Sequence, residues 1–453
     1  MTTKTNMQPE RRSAMIESGA WNDNIITDYL DQAVLTAPDS VAVIAYRVNE
    51  DERLAFSYRE LDHLVTRMAA GLAGLGVAKS DVVSCQLPNG WQITALHLAC
   101  VRIGAILNPL MPIFRERELA FMLGHAQSRV LVIPHHFRGF DYAAMVQGMR
   151  GELPALEQVL VIDGDHGDDS FEQVLLQRAW EEETDTAALF AERRLGGDDV
   201  VQLLYTSGTT GEPKGVLHTS NTLFSNVRPY AERLQLGSED IVFMASPIAH
   251  QTGFLYGLMM PIYLKSTAVL QDIWDARFAV KVIKAERPTF TMASTPFLTD
   301  LIDIAPDHGE ALASLRTFVA AGAPIPGALV EKAGTAVNAK VISAWGMTES
   351  GAVTMTRLHD DARCAIHTDG LPLPFMEVNI VDEDGREVPR DTEGNLLVRG
   401  GSLFVGYLKR PELYGVDDQG WFATGDLARM NKQGYIRITG RTKDVVIRGG
   451  ENI

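Results

Sequence analysis

Between about residue 80 and residue 350, short, mostly apolar runs alternate with stretches of helical periodicity, and that alternation restricts the fold more than any other feature. The runs are DVVSCQL (81–87), RVLVIP (129–134), QVLVID (158–163), VVQLLY (200–205), IVFMASP (241–247) and TFTMAS (289–294). A strand with polar residues on neither face must be covered on both, and helices between successive strands supply the cover. The pattern therefore predicts an α/β fold with parallel sheet between helices. After the first run, Asn89 is expected to cap an amphipathic helix that ends near Gly104. From about residue 375 the character changes. EVNIVDEDGREV (377–388), GNLLVRG (394–400) and GYIRITGR (434–441) are short strands joined by turn residues, which suits a small β-barrel or sheet subdomain.

A chain of 453 residues exceeds one ordinary core and implies about two to four domains or subdomains. Its 41 basic and 58 acidic residues leave a formal charge of −17, so a nucleic acid would be repelled and any phosphate ligand must be held by local donors. Three scattered cysteines (Cys85, Cys100, Cys364) give neither a disulfide framework nor zinc spacing, and are expected as free thiols in a reducing compartment. The N-terminus lacks the apolar core of a signal peptide. The longest apolar run, Ala95 to Leu110, is broken by His97, Arg102, Asn108 and Pro109 and is too short to span a membrane. A cytoplasmic location is expected.

Two glycine- or acid-rich segments carry no chemistry. Asp382 to Gly385 lacks the full ligand series of a calcium loop and fits a hairpin turn. Gly71, Gly74 and Gly76 lack dinucleotide-binding spacing and fit a helix end. The segment YTSGTTGEPKG (205–215) differs from both, because it follows an apolar strand directly. It offers backbone N–H groups, hydroxyls and the Lys214 ammonium to a polyphosphate, while Gly208, Gly211 and Gly215 allow close backbone approach. It is not a Walker loop, since Lys214 precedes Gly215 instead of following a glycine.

This string resembles the phosphate-binding signature of the adenylate-forming superfamily, which includes acyl-CoA synthetases, aryl-CoA ligases, luciferases and peptide-synthetase adenylation domains. Four further segments follow in that family's order. They are AAGAP (320–324), WGMTE (345–349), WFATGD (421–426) and GRTKD (440–444) running into GGENI (449–453). The resemblance implies two helix-covered, mostly parallel sheets plus a small β-barrel. Residues 1–440 would form a large adenylation domain, with α/β subdomains at 1–200 and 200–370 and the β-subdomain at 371–440. Residues 441–453 would be the hinge, at Lys443, and the first residues of a small C-terminal domain.

It also implies roles. Thr206, Ser207, Gly208, Thr209, Thr210 and Lys214 would hold the ATP phosphates. Glu349 would bind Mg²⁺, and Thr348 would touch the α-phosphate. Gly322, Ala323 and Pro324 would contact adenine, with Trp345, Gly346 and Met347 along its face. Asp426 would accept from the ribose hydroxyls, and Arg441 would reach ribose or phosphate. Coenzyme A would be the second substrate, and a homodimer is expected by analogy.

A carboxylate with a pKa of about 4–5 is already ionised, so its attack on the α-phosphorus needs charge neutralisation and in-line positioning, not a general base. The acid pocket is expected along residues 246–254, including His250, Gly253 and Phe254, with residues 320–322, among them Ala321, and residues 344–347. His250 has two readings, closing the pocket or packing as a hydrogen-bonded histidine. No Asp lies between Phe243 and Tyr256, where amino-acid-activating relatives usually place one, so a plain carboxylic acid is expected. The N-terminal half (21–34 and 57–77) resembles medium-chain and alicyclic acyl-CoA ligases, such as cyclohexanecarboxylate:CoA ligases. Transfer to a carrier-protein thiol and an aryl acid substrate stay as alternatives. Relatives continue for roughly a hundred residues beyond the position of Ile453, and that region carries a lysine used in adenylation. The chain is therefore expected to bind ATP and acid but to form adenylate poorly.

Overall fold

The structure is a computed structural model that describes residues 5–164, 166–206, 212–323, 325–442, 447–448 and 451–452. Its strands in chain order are β1 (Val41–Arg47), β2 (Glu52–Ser57), β3 (Val82–Cys85), β4 (Ile106–Pro109), β5 (Val130–Pro134), β6 (His136–Phe137), β7 (Phe140–Asp141), β8 (Gln158–Ile162), β9 (Val200–Thr206), β10 (Lys214–Thr219) and β11 (Ile241–Met244). They continue as β12 (Thr267–Gln271), β13 (Phe290–Ala293), β14 (Thr317–Ala320), β15 (Lys340–Met347), β16 (Gly351–Met355), β17 (Leu371–Pro372), β18 (Met376–Val381), β19 (Glu393–Gly400), β20 (Gly406–Tyr407), β21 (Phe422–Met430) and β22 (Ile436–Arg441). One sheet has the order β17-β16-β15-β14-β13-β11-β12-β1-β2 and another the order β20-β10-β9-β4-β3-β5-β8. Both are parallel through their centres and antiparallel at edges, as at β1–β2, β15–β16 and β9–β10. The helix-covered, mostly parallel α/β architecture is therefore present.

The two sheets face each other across a shared core. Helix Trp91–Arg102 lies in it and buries nearly its whole circumference, including Ile93, Leu96, Leu98 and Val101. A helix apolar all round belongs between two layers, not on a surface. Helices Ala276–Glu286, Thr295–His308 and Gly327–Ala336 cover the outer face of the larger sheet. Helices Glu116–Ala126 and Tyr142–Met149 cover that of the other.

The sheets are interleaved along the chain, not divided at residue 200. β1 and β2 complete the sheet built from residues 241–372, whereas β9, β10 and β20 join the sheet built from residues 82–162. Residues 376–441 form an antiparallel sheet in the order β18-β19-β21-β22, which is the small β-subdomain. Its Asp382–Gly385 segment is a turn, with Asp382 Oδ1 accepting from the N–H groups of Asp384 and Arg386 and Gly385 at φ +78°.

Asn89 does not cap the helix that follows, whose N-cap is Gly90. Its side chain instead ties the two sheets together, donating to the carbonyl of Ser246 at 2.9 Å and accepting from Ile248 N–H at 2.8 Å. A buried amide with several partners across the core outcompetes one local capping bond. The three cysteines are free, with Cys85 and Cys100 buried. Among the described residues no helix is long and apolar enough to cross a membrane.

Candidate active site

β9 and β10 pair antiparallel with Thr206 opposite Lys214, so the glycine- and hydroxyl-rich segment joins the ends of a hairpin. Ser207, Gly208, Thr209 and Thr210, like Pro324 and Lys443, lie outside the described residues. Thr206 Oγ1 is enclosed and has no hydrogen-bond partner among the described residues. Lys214 Nζ donates to the Tyr407 hydroxyl at 3.3 Å and lies 4.7 Å from that ring's centroid. Tyr407 in turn donates to Glu349 Oε1 at 2.7 Å. Tyr407 is brought here because β20 adds to the open edge of β10, with Val216 opposite Tyr407. Burial, and then the charge of Glu349, push the phenol pKa up, so it stays a proton donor.

Glu349 sits in the turn between β15 and β16. Gly346 is required in this hairpin, since a Cβ there would lie 2.1 Å from the Gly351 carbonyl oxygen. Glu349 is 7% exposed, and no basic side chain among the described residues lies within salt-bridge distance of it. The carbonyl of the preceding residue, Thr348, accepts from His218 Nε2 at 2.8 Å. A carbonyl only accepts, so the proton is on Nε2, and Nδ1 lies 3.0 Å from the Thr222 hydroxyl. Burial lowers the His218 pKa to about 4, so this support is neutral at physiological pH.

A carboxylate–guanidinium pair stands alongside. Asp426, 3% exposed, accepts from Arg441 Nε at 2.7 Å where β21 and β22 pair. Burial raises the Asp426 pKa, against the lowering effects of Arg441 and of a hydrogen bond from Trp345, while the charge of Glu349 raises it further. Trp345, Glu349 and Asp426 are thus neighbours although they come from two hairpins of different sheets. Trp345 and Met347, both half-buried, pack on the core of the β-subdomain.

Ala320 pairs with Ser343 at the end of β14, so residues 321–323 emerge beside the start of the Trp345 segment. Gly322 has φ +84°, a conformation that favours glycine, and Ala321 is half-buried against the inter-sheet core. The expected acid-pocket residues divide. His250 is half-buried; its Nδ1 accepts from Thr252 N–H at 3.3 Å, and burial lowers its pKa. Gly253 is packed, with the Pro247 carbonyl oxygen 2.2 Å from where a Cβ would be. Phe254 is fully buried against His97, with ring centroids 4.8 Å apart, on a wound turn that directs it into the core. It is not brought among the nucleotide-site residues.

Chemically, the site sets an enclosed hydroxyl and an ammonium beside a buried carboxylate, the ammonium and the carboxylate each without an ionic partner among the described residues. Those are the donor and acceptor sets that a polyphosphate and a hard divalent cation would complete. Residues 30–408 match the AMP-binding enzyme family. The chain belongs to that family. It is 32% identical over 449 residues to a medium-chain fatty-acid–CoA ligase of Escherichia coli (strain K12), covering 98% of this chain and 77% of the relative. It is 28% identical to a mitochondrial medium-chain acyl-CoA ligase of Homo sapiens, over 95% of this chain and 73% of that one. Among solved structures, Mycobacterium smegmatis MbtA superposes with a TM-score of 0.84 at 28% identity, over 99% of this chain and 82% of that chain. The chain is accordingly an AMP-forming acid–CoA ligase, which uses ATP, Mg²⁺ and CoA. Two residues that contact this cluster escaped sequence reasoning, Tyr407 and His218. An isolated tyrosine 193 residues from Lys214 carries no local signal. His218, one turn before Thr222 at the start of a helix, looks like an ordinary core residue.

Proposed function

We propose that this AMP-binding enzyme activates a medium-chain or alicyclic carboxylic acid as its acyl-adenylate and passes the acyl group to CoA. The observation that carries the proposal is the Lys214–Tyr407–Glu349 chain next to Asp426–Arg441. Lys214, with Thr206 and the segment 207–210, neutralises and steers the β- and γ-phosphates. Glu349 is the carboxylate suited to Mg²⁺, which when bound offsets phosphate charge. Asp426 accepts from the two ribose hydroxyls, and Trp345 with Gly322 borders adenine. The acid's oxygen bonds to the α-phosphorus as the bond to pyrophosphate breaks, and no proton moves. The CoA sulfur then bonds to the acyl carbon, AMP leaves, and the thiol proton goes to solvent. Residues 1–440 act as the unit that binds both substrates, and residues from 441 as the hinge.

The absence of any Asp between Phe243 and Tyr256 supports a substrate without an α-ammonium. So do the names of the two ligases above. The test is calorimetric titration with cyclohexanecarboxylate, octanoate, benzoate and leucine, each with and without ATP·Mg²⁺. Binding of octanoate or cyclohexanecarboxylate that depends on nucleotide is the expected result. Binding of leucine alone would overturn the acid assignment and favour transfer to a carrier.

A further inference from the structure

Outside this site, the end of β5 carries a second concentration of ligand-type side chains. His135, His136 and Asp141 each place one ligand atom within 4.8 Å of the other two. The arrangement is built by the β6–β7 hairpin. Its turn is Arg138–Gly139, both at positive φ (52° and 76°), and the register sets His136 directly opposite Asp141. His136 Nε2 is 3.4 Å from Asp141 Oδ2. That matches the separation of about 3.3 Å between two ligand atoms each about 2.0 Å from a tetrahedral ion.

His135 is held by its backbone on both sides, donating to the Ile162 carbonyl at 3.1 Å and accepting from Tyr142 N–H at 3.0 Å. Successive strand residues ordinarily face opposite ways. Here the two adjacent imidazoles stand 4.1 Å apart between centroids, and the His166 ring packs edge-on against His135 at 4.7 Å. Asp141 uses its other oxygen to accept from Ala144 N–H at 2.8 Å, which fixes the carboxylate's orientation while leaving Oδ2 toward His136. His136 also lines a cleft of about 220 Å³ together with Arg47, Trp91, Arg138, Asp163 and Asp272. The cleft opens at the C-terminal ends of β3, β5 and β8, where parallel sheets usually receive ligands.

We propose that His135, His136 and Asp141 form a binding site for a borderline divalent ion of the Zn²⁺ class, separate from the Mg²⁺ site at Glu349. Two imidazoles and one carboxylate suit Zn²⁺, Co²⁺ or Ni²⁺, whereas Mg²⁺ is better served by oxygen ligands alone. Three protein ligands leave a coordination position for water or for an anionic group in the cleft. The bound ion clamps the β6–β7 hairpin to the segment that leaves β5.

The test uses the full chain without an affinity tag, because it contains 11 histidines. Co²⁺ titration followed by visible d–d absorption reports coordination directly, and displacement of a chromophoric chelator gives the Zn²⁺ affinity. One equivalent should bind with a dissociation constant of about micromolar or tighter. His136→Gln, at an exposed position, and Asp141→Asn, which keeps an acceptor for Ala144 N–H, should each weaken Zn²⁺ binding by about 10–100-fold. His359→Gln, 75% exposed and remote in sequence, should not. Zn²⁺ should raise the thermal midpoint of the parent and not of His136→Gln. The metal-free midpoints of parent and variants should coincide, which separates loss of a ligand from loss of fold. Saturable binding no tighter than millimolar, or full-strength binding retained in His136→Gln, would overturn the proposal.

Discussion

Asp426→Asn separates what the Asp426 carboxylate does for ATP from what it does for the fold. The side chain is 4% exposed and faces Arg441, whose side chain keeps 31% exposure, so the pair is half-open to solvent. Burial raises the Asp426 pKa despite Arg441 and Trp345. A group whose folded pKa lies above its unfolded value stabilises fully below the unfolded pKa, and that contribution is lost as pH rises through the folded one. At neutral pH the ionised carboxylate is therefore a net cost to folding. Asparagine keeps an acceptor for Arg441 and removes the charge. Folding stability should stay level or rise by up to about 1 kcal/mol, and the gain in stability that Asp426 confers on acidification should vanish. Arg441→Gln does the reverse by leaving a buried carboxylate without its cation. Complete burial would make that cost about 3–5 kcal/mol; the exposure of Arg441 reduces the expectation to about 1–3 kcal/mol. The double variant should recover most of it. For ATP, each ribose hydroxyl donated to a charged acceptor is worth about 1.5–3 kcal/mol, so Asp426→Asn should weaken nucleotide binding about 10–100-fold. Urea unfolding from about pH 4, near the ordinary Asp value, to about pH 8 and calorimetric titration of ATP·Mg²⁺ read the two effects separately. An asparagine variant that loses more than about 2 kcal/mol of stability yet binds ATP like the parent would refute the reasoning, and Asp426 would then be a structural residue.

Three further outcomes are expected. Tyr407→Phe removes the hydroxyl between Lys214 and Glu349 but keeps the ring under the ammonium; ATP·Mg²⁺ affinity, measured by calorimetry, should fall about tenfold, and most steeply when Mg²⁺ is limiting. Gly346→Ala places a Cβ against the Gly351 backbone and should cost at least about 2 kcal/mol or abolish soluble expression, whereas Gly334→Ala, with nothing near its Cβ on an exposed helix position, should gain about 0.5–1 kcal/mol in thermal or urea unfolding. His97 is fully buried, neither ring nitrogen has a partner among the described residues, and burial lowers its pKa to about 3. Its neutral form supports the fold above the unfolded pKa, and that support is lost as pH falls from about 6.5 toward 3, so His97→Leu should raise stability and flatten the acid limb of a urea-unfolding profile.

How much of this was legible in the sequence depends on whether a residue's task is local. β3, β5 and β11 could be read because a strand covered on both faces is mostly apolar, and their buried residues, Ser84 excepted, fit that condition without reference to the rest of the chain. Helix Trp91–Arg102 was legible as a helix, but it was expected to be amphipathic and is buried nearly all round, and its start was not legible. Asn89 has the composition of a cap, and bonds to residues more than 150 positions away took it elsewhere. Sheet membership was hidden equally well: β1 lies beside β12 across some 220 residues of chain, and no pattern within residues 41–47 names that neighbour. In the candidate site, Lys214, Glu349 and Asp426 were expected one by one, from the motifs in which the resemblance places them.

What the sequence could not carry is which group meets which. Tyr407 reaches Glu349 only because β20 closes on β10, and Trp345 reaches Asp426 only because the β15–β16 hairpin packs on the β-subdomain. Phe254 was expected along the acid pocket; it is fully buried, at the start of the wound turn Phe254–Met259, with its ring against His97. A one-residue change in helical winding moves a side chain by about 100°, enough to exchange a pocket wall for a core contact while leaving the sequence pattern untouched. Strand register and packing between layers together decide which groups meet, as β20 on β10 does for Tyr407, and motif spacing carries neither.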